Sequence, residues 1–300
     1  MWDLHRLRLL HELHRHGTVT EVADLLKFSP STVSAQLAKL EGEIGVPLFE
    51  PEGRRLRLTP HGVRIARHAA EVIDLEEQVK SELASARPVP ETVRIATLET
   101  AGRALLPRAL TTLASTHPLL RLEAAVVPPE AGLSELESRG YDLVIAEQYS
   151  DYTRAHRPPL DRVTLGADTL RLVVPAGSGI TTLSQAREWP WVMEPGGTAA
   201  RAWAIQRCRS AGFEPDIRFD SADLEIHIHL VQAGHAVSVL PDLVWSHQTQ
   251  GVDLVDLDGP AQRVLFTSAR RTTTDRPSIQ AVRAALLSAF GDVKATRGQE

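Results

Sequence analysis

The sequence predicts an α/β protein preceded by a small all-α head. Within the first 60 residues, apolar positions recur at helical spacing in three short segments that are separated by turn residues. Beyond residue 91, short apolar runs with strand character alternate with helical segments, which favours an α/β fold with largely parallel sheets. At 300 residues the chain exceeds one typical domain, so the two patterns are expected to belong to separate modules.

Three helices are predicted in the head. The first ends at Gly17, and Thr18 or Thr20 can cap the second. Ser29 is expected to cap the third helix, which ends at Gly45. Two short helices joined by a tight turn form a helix-turn-helix, in which the last helix enters the major groove of duplex DNA.

The third helix has an apolar face that includes Val33 and Leu37, so the opposite side is expected to approach DNA. On that side Gln36 could read adenine by a bidentate contact, and Ala35 could meet a thymine methyl group. Lys39 is better suited to phosphate. The residues predicted to contact DNA from this helix and its cap are Ser29, Ser31, Thr32, Ser34, Ala35, Gln36 and Lys39.

A two-stranded wing is predicted after the third helix. A turn-rich tip at residues 50–53 is followed by residues 54–59, where charged and apolar residues alternate as in a strand. Arg54, Arg55 and Arg57 would lie over the sugar-phosphate backbone and add salt-dependent affinity with little sequence choice. The net charge of −5 is unusual for a DNA-binding protein, but five arginines at positions 54, 55, 57, 64 and 67 crowd one short segment and leave room for a local basic patch.

A long helix is predicted from Pro60 to about Ser85, with one apolar stripe. Because the head offers no obvious surface to bury this stripe, we expect it to pair with the same helix of a second subunit. Prolines at positions 88 and 90 then form a stiff linker. The predicted dimerisation residues are Ile65, Val72, Leu75, Val79 and Leu83.

The C-terminal module is predicted to alternate between strands and helices. The strand candidates are residues 93–96, 120–127, 142–146, 170–174, 191–193 and 236–240. The helix candidates are residues 101–115, 130–138, 198–211, 222–232 and 277–290.

Three segments of the head carry a resemblance to a known family. Residues 29–41 read Ser-Pro-Ser-Thr-Val-Ser-Ala-Gln-Leu-Ala-Lys-Leu-Glu, residues 44–50 read Ile-Gly-Val-Pro-Leu-Phe-Glu, and residues 58–62 read Leu-Thr-Pro-His-Gly. Together they resemble the N-terminal signature of the LysR-type transcriptional regulators, over roughly residues 2–68. The remainder is similar to that family's effector domain in layout only. Pro51 and Ala35 depart from the pattern, because arginine is frequent in the family at both positions.

The resemblance implies a homodimer or homotetramer that binds promoter DNA and is switched by a small-molecule effector. It also implies a periplasmic-binding-protein-like effector domain, in which two α/β subdomains flank a cleft. The expected organisation is a winged helix-turn-helix at residues 1–60, a linker and dimerisation helix at 61–87, and an effector domain at 91–300. Subdomain I would comprise residues 91–163 and 268–300, and subdomain II residues 164–267.

The effector cleft is expected where strands end and helices begin, because backbone N–H groups and helix dipoles point there. Thr198 either contacts the ligand or only caps a helix. Glu99 and Glu147 either select an effector with an ammonium group or several hydroxyls, or are solvated loop carboxylates. The predicted effector-binding residues are Thr97, Glu99, Thr100, Glu147, Gly196, Gly197 and Thr198.

Other functions fit the sequence less well. Residues 11–14, His-Glu-Leu-His, resemble a zinc-protease helix, but arginine stands at position 15 where that site needs its second histidine. His227 and His229 diverge on a helix, and Cys208 is either a reactive thiol or a buried inert one. We therefore expect no enzyme, metal or cofactor. The alternatives are a periplasmic-type small-molecule-binding protein without DNA function and, less favoured, an enzyme.

The cellular setting is expected from two further observations. No apolar run is long enough to cross a bilayer, and the N-terminus does not have the pattern of a signal peptide. A single cysteine suits a reducing compartment. We therefore expect a cytoplasmic protein without a membrane partner.

Overall fold

The computed structural model divides the chain into two compact units, Met1–Val89 and Pro90–Glu300. No helix among the described residues is long and apolar enough to span a membrane. The structure describes residues 1–52, 55–84, 91–152, 156–245 and 251–297, and for residues 51, 52, 55, 78, 80–84 and 297 it describes the backbone alone.

The first unit contains four helices and a two-stranded hairpin in its described residues. The predicted caps are confirmed: Thr18 accepts a hydrogen bond from the Glu21 backbone, and Gly17 and Gly45 end their helices in the left-handed conformation. The elements are α1 (Leu4–His16), α2 (Val19–Leu26), α3 (Pro30–Ile44), β1 (Phe49–Glu52), β2 (Arg55–Leu58) and α4 (Pro60–Ala84).

The hairpin is fixed to the helices on both sides by hydrogen bonds. The Glu41 carboxylate on α3 accepts from the backbone N–H groups of Leu48 and Phe49, at 2.7 and 3.3 Å. At the start of α4, the Thr59 hydroxyl accepts from the Gly62 N–H at 3.0 Å. A Cβ atom on Gly62 would lie 2.2 Å from the Leu48 carbonyl oxygen, so only glycine permits this approach. Thr59 and Gly62 of the Leu-Thr-Pro-His-Gly segment thus hold the start of α4 close to the hairpin.

The expectation that α4 has no surface to pack against in its own unit is wrong for its first half. Ala66, Ala69 and Ile73 are buried in the same core as α1, and Ile65 packs against that core. The predicted dimerisation stripe therefore begins too early in α4, because its first residue, Ile65, packs inside its own unit. Further along, Leu75 and Val79 are 61% and 45% exposed. Val72 is half-buried, and the side chain of Leu83 lies outside the described residues.

The second unit alternates between strands and helices as predicted, and all six strand candidates and all five helix candidates are confirmed. Three strands were not anticipated, namely Asp216–Asp220, Val252–Asp256 and Gln262–Ser268. The elements are β3 (Glu91–Thr97), α5 (Glu99–Thr116), β4 (Leu120–Val126), α6 (Pro129–Glu137), β5 (Leu143–Tyr149), β6 (Val163–Pro175), β7 (Pro190–Met193), α7 (Ala199–Ser210), β8 (Asp216–Asp220), α8 (Leu224–Gln232), β9 (Ser238–Pro241), β10 (Val252–Asp256), β11 (Gln262–Ser268) and α9 (Pro277–Arg297).

The main sheet has the order β10-β6-β11-β5-β3-β4, with β9 also paired to β6. Within it, β3 is parallel to β4 and β5, whereas β11 is antiparallel to both of its neighbours, and β9 and β10 are antiparallel to β6. The expectation of largely parallel sheets is therefore wrong for this sheet. The reason is β11, which returns between β5 and β6. A second sheet pairs β7 with β8 in parallel.

The predicted subdomain boundaries fall on two adjacent strands of the main sheet, β6 and β11. Residue 163 begins β6 and residue 268 ends β11, and most of β11 pairs with the first half of β6. One buried core lies under β3, β5, α5 and α9, and another surrounds Trp191 and Trp203. The polar groups described below lie where β5, β6, β7 and β11 meet helices.

Candidate DNA-binding surface and effector cleft

The N-terminal end of α3 presents three exposed hydroxyl groups. The Ser29 oxygen accepts from the Thr32 N–H at 3.1 Å and lies 2.8 Å from both the Ser31 and Thr32 hydroxyl oxygens. This end of the helix also carries the positive end of its dipole. Exposed hydroxyls and a helix N-terminus form a surface that is suited to phosphate.

The outer side of α3 is exposed at Ser34, Ala35 and Lys39. Gln36 is half-buried, and its side-chain oxygen accepts a hydrogen bond from Arg6 Nε of α1 at 3.0 Å. Arg6 is itself held by an ion pair with Glu43. The expected bidentate contact of Gln36 with adenine needs both the amide oxygen and the amide nitrogen. Because the oxygen is already engaged, the amide hydrogens are the groups best placed for a base edge.

Of the predicted wing arginines, Arg57 is the one whose side chain is described. Its guanidinium is exposed and pairs with Glu50 across the hairpin at 2.5 Å. An exposed pair of this kind contributes only ~0–1 kcal/mol, so phosphate can compete for the arginine. Arg54 and the side chain of Arg55 lie outside the described residues, as does the side chain of Pro51.

In the second unit, a buried arginine on β11 lies at the centre of the candidate cleft. Arg263 contacts the Glu147 carboxylate at 2.6 Å, the Asp168 carboxylate at 2.9 Å and the Thr100 hydroxyl at 2.7 Å. Burial lowers the pKa of Arg263, but Glu147 and Asp168 outweigh burial and hold it above its usual value. The guanidinium is thus charged, and it ties β11 to β5, β6 and α5.

Burial changes the interpretation of three predicted effector residues. Thr97 is 1% exposed and donates its hydroxyl proton to the Leu98 carbonyl at 3.0 Å. Thr100 and Glu147 are 3% and 6% exposed, and both accept hydrogen bonds from Arg263. The expectation that these polar atoms are presented to a ligand does not fit this structure, because each is committed to a partner inside the protein. The reading of Glu147 as a solvated carboxylate is wrong for the same reason.

The remaining predicted residues lie at accessible positions. Glu99 pairs with Arg103 on the next turn of α5 at 2.8 Å. Gly196 and Gly197 are exposed, and Gly197 has a φ of +90°, which favours glycine. Thr198 caps α7: its oxygen accepts from the Arg201 N–H at 3.3 Å and its hydroxyl donates to the Pro195 carbonyl at 3.0 Å.

The sequence did not single out Glu194, which directly follows β7. Burial, followed by the neighbouring charge of Glu147, raises the pKa of the Glu194 carboxyl to about 7. Glu194 lines a cavity of about 20 Å³ together with Tyr149, Met193 and Trp203. A volume of that size holds one water-sized group. The signal that could have located Glu194 is its position at the carboxyl end of a strand, two residues before a glycine pair.

Two residues considered for other chemistry are buried. His227 lies on α8 and is bonded to the Ser238 hydroxyl at 3.1 Å and the Ser221 carbonyl at 2.8 Å. Cys208 is fully buried, and burial raises the pKa of its thiol to about 12. The interpretation of Cys208 as a buried thiol is confirmed, since a thiol in this environment is not ionised at neutral pH.

Comparison with known proteins identifies both units. The model for bacterial regulatory helix-turn-helix proteins of the lysR family matches residues 4–63, and that for the LysR substrate binding domain matches residues 86–291. The chain is 27% identical over 260 residues to the transcriptional dual regulator GltC of Bacillus subtilis, covering 82% of this chain and 83% of GltC. It is 28% identical over 254 residues to the dual regulator OxyR of Escherichia coli, covering 80% and 78%.

Solved structures share the fold at low sequence identity. A full-length OxyR variant from Pseudomonas aeruginosa has a TM-score of 0.69 at 19% identity, with 97% of this chain and 95% of the other covered. HinK, a LysR family regulator from the same organism, has a TM-score of 0.59 at 18% identity, with 98% and 100% covered. Because the two family models together match most of its length, this chain belongs to the LysR family and is a LysR-type transcriptional regulator with a helix-turn-helix and an effector-binding domain.

Proposed function

We propose that this regulator binds promoter DNA as a homodimer or homotetramer through α3 and the wing, and that a small molecule in the cleft beside Glu194 controls it. The observation that carries the DNA-binding part is the exposed N-terminal end of α3, with its three hydroxyls and the outward residues Ala35 and Lys39. A regulator that acts on promoters works where the DNA is, so we place it in the cytoplasm.

Within this proposal the contacts divide into two kinds. Phosphate is held by the hydroxyls at the start of α3, by Lys39 and by wing arginines such as Arg57, which fixes the register of the head on the duplex. Base edges are read by Gln36 and Ala35 from the major groove. Arg6 orients the Gln36 amide from behind, because it holds the amide oxygen.

The oligomer is proposed from the exposed second half of α4. Leu75 and Val79 are large apolar side chains that face solvent in the isolated chain. They lie one helical turn apart on the same face, and burying them against a second copy would remove that apolar area from water. Two heads on one assembly also strengthen DNA binding, because the second head binds at a high effective concentration.

The proposed function is binding without a catalytic step. Glu147 and Asp168 share Arg263, and Glu99 pairs with Arg103, so these carboxylates are engaged in charge pairs. Such pairs hold the fold together around the cleft. The effector-binding part of the proposal rests on the cavity beside Glu194.

Salt-dependent gel retardation with the DNA upstream of the regulator's own gene tests the DNA-binding proposal. We expect Gln36→Ala to weaken operator binding by about 1–3 kcal/mol and to leave random DNA little changed. Arg57→Ala should weaken both alike and lower the salt slope by about one. Arg108→Ala, an exposed arginine on α5, is the matched control and should change neither. Equal losses for operator and random DNA with Gln36→Ala would show that α3 does not read bases through this residue.

A further inference from the structure

We propose that the cavity beside Glu194 binds the ammonium group of a cationic effector with an apolar body. This inference rests on the proposed function, because it assigns a ligand class to the same cleft. The cavity lies between β7, α7 and the strands of the main sheet, and Glu194 is the one carboxylate among its described lining residues.

The charges around the cavity leave Glu194 without a cationic partner among the described residues. Arg263 is already shared by Glu147 and Asp168, with contacts of 2.6 and 2.9 Å. Arg201 also lines the cavity, but its guanidinium pairs with Asp220 at 2.6 Å and donates to the Glu194 backbone carbonyl, not to the carboxylate. The half-buried Glu194 carboxylate thus adds a negative charge that the surrounding pairs do not balance.

The neighbouring charges favour a cation over an anion. Glu147 and Glu99 lie close enough to Glu194 for their negative charges to raise its pKa, and Arg263 opposes them only in part. His227 faces the same cavity, but burial lowers its pKa, so it is neutral at pH 7 and above. The start of α7 could attract an anion, yet the Thr198 hydroxyl already occupies that cap.

The remaining walls indicate the shape of the ligand. Leu170, Met193 and Leu240 contribute apolar surface. Trp203 is 3% exposed and adds an aromatic wall to the same cavity. The 20 Å³ cavity holds one water-sized group, so a primary ammonium fills it and a trimethylated one is excluded. The apolar body of the ligand would then extend from the opening of the cavity.

The test compares four probes of matched length on the full chain by titration calorimetry: n-butylammonium, 1-butanol, butyrate and butyltrimethylammonium. At pH 8 we expect binding of n-butylammonium and at least tenfold weaker binding of the other three. Since the pKa of Glu194 is about 7, the affinity for n-butylammonium should fall about tenfold between pH 8 and pH 6.

Three variants show whether Glu194 is the group involved. Glu194→Gln should lose n-butylammonium binding and its pH dependence, whereas Glu194→Asp should bind more weakly with the pH dependence retained. Glu188→Gln removes an exposed carboxylate from the same region and should behave as the native chain. Melting curves and DNA retardation establish that each variant is folded.

The inference is overturned if butyrate or butanol binds as tightly as n-butylammonium, or if Glu194→Gln binds n-butylammonium like the native chain. It is equally overturned if no probe binds at pH 8 to a chain that still retards DNA, an outcome that leaves the proposed DNA function intact. If the chain binds n-butylammonium but does not retard DNA, the proposed DNA function is refuted and the cation site is supported.

Discussion

Replacing Gly62 with alanine should destabilise the DNA-binding unit, although alanine is the better helix former. Gly62 lies in the first turn of α4, where the helix approaches the Leu48 carbonyl. A Cβ atom there would be 2.2 Å from that oxygen and 3.2 Å from the Leu58 Cβ, whereas ordinary contact begins at 3.4 Å. The Leu48 oxygen cannot move away cheaply, because it accepts the Thr59 N–H at 2.9 Å.

The size of the effect follows from two opposing contributions. Removing a glycine from a helix stabilises it by about 1 kcal/mol. Forcing a methyl group into a closed contact costs about 1–3 kcal/mol, and the upper end applies where the obstacle is hydrogen-bonded backbone. The net loss for Gly62→Ala is therefore about 2 kcal/mol. Gly42→Ala on α3 is the matched control: nothing lies within 4 Å of its Cβ position, so a gain of about 0.5–1 kcal/mol is expected.

Amide hydrogen exchange of the full chain measures both changes in place. Peptides from α1 and α3 should exchange about 30-fold faster in Gly62→Ala and about 2–5-fold slower in Gly42→Ala. Peptides from β5 in the second unit should be unchanged in both. Exchange in Gly62→Ala that is as slow as in the native chain would refute the close approach of α4 to the hairpin.

Two further predictions concern surfaces and thiols. Leu75→Asp should dissociate the oligomer in sedimentation velocity, because it places a charge on the exposed apolar face of α4, while Glu71→Asp on the same helix should leave it intact. Cys208 should not react with a soluble disulfide reagent in the native protein and should react fully after denaturation, because burial raises the pKa of its thiol to about 12; rapid native reaction would show that this thiol is accessible.

The helices of the head were predictable because residues at the ends of each helix determine where it begins and stops. Thr18 and Ser29 are capping residues, and Gly17 and Gly45 adopt the left-handed conformation that ends a helix. Strand β11 was not predicted, since its sequence begins with a glutamine and an arginine and gives no uniform apolar run. Missing this strand also gave the wrong strand directions, because β11 is the element that makes the centre of the sheet antiparallel.

The candidate cleft was only partly predictable, because its charges are paired over long distances in the chain. Arg263 bonds to partners that are 95, 116 and 163 positions away in the chain. No local spacing in the sequence indicates that these residues are paired. Strand ends pointed to the correct region, and Glu147 does lie there. Its role could not be read, since a carboxylate next to a buried arginine and one in a solvated loop look the same in sequence.

The contrast between Glu147 and Glu194 shows what decides the chemistry of this cleft. Both are carboxylates beside the same arginine. Arg263 forms an ion pair with Glu147, whereas at Glu194 its charge only opposes the rise in pKa that burial and Glu147 cause. A cation bound at Glu194 would therefore also attract Glu147, in competition with Arg263. Because Arg263 lies on β11 and its second carboxylate, Asp168, lies on β6, that competition would act on two adjacent strands of the main sheet. In the proposed site, the charge of the effector would be coupled to the geometry of these strands through the Arg263 side chain.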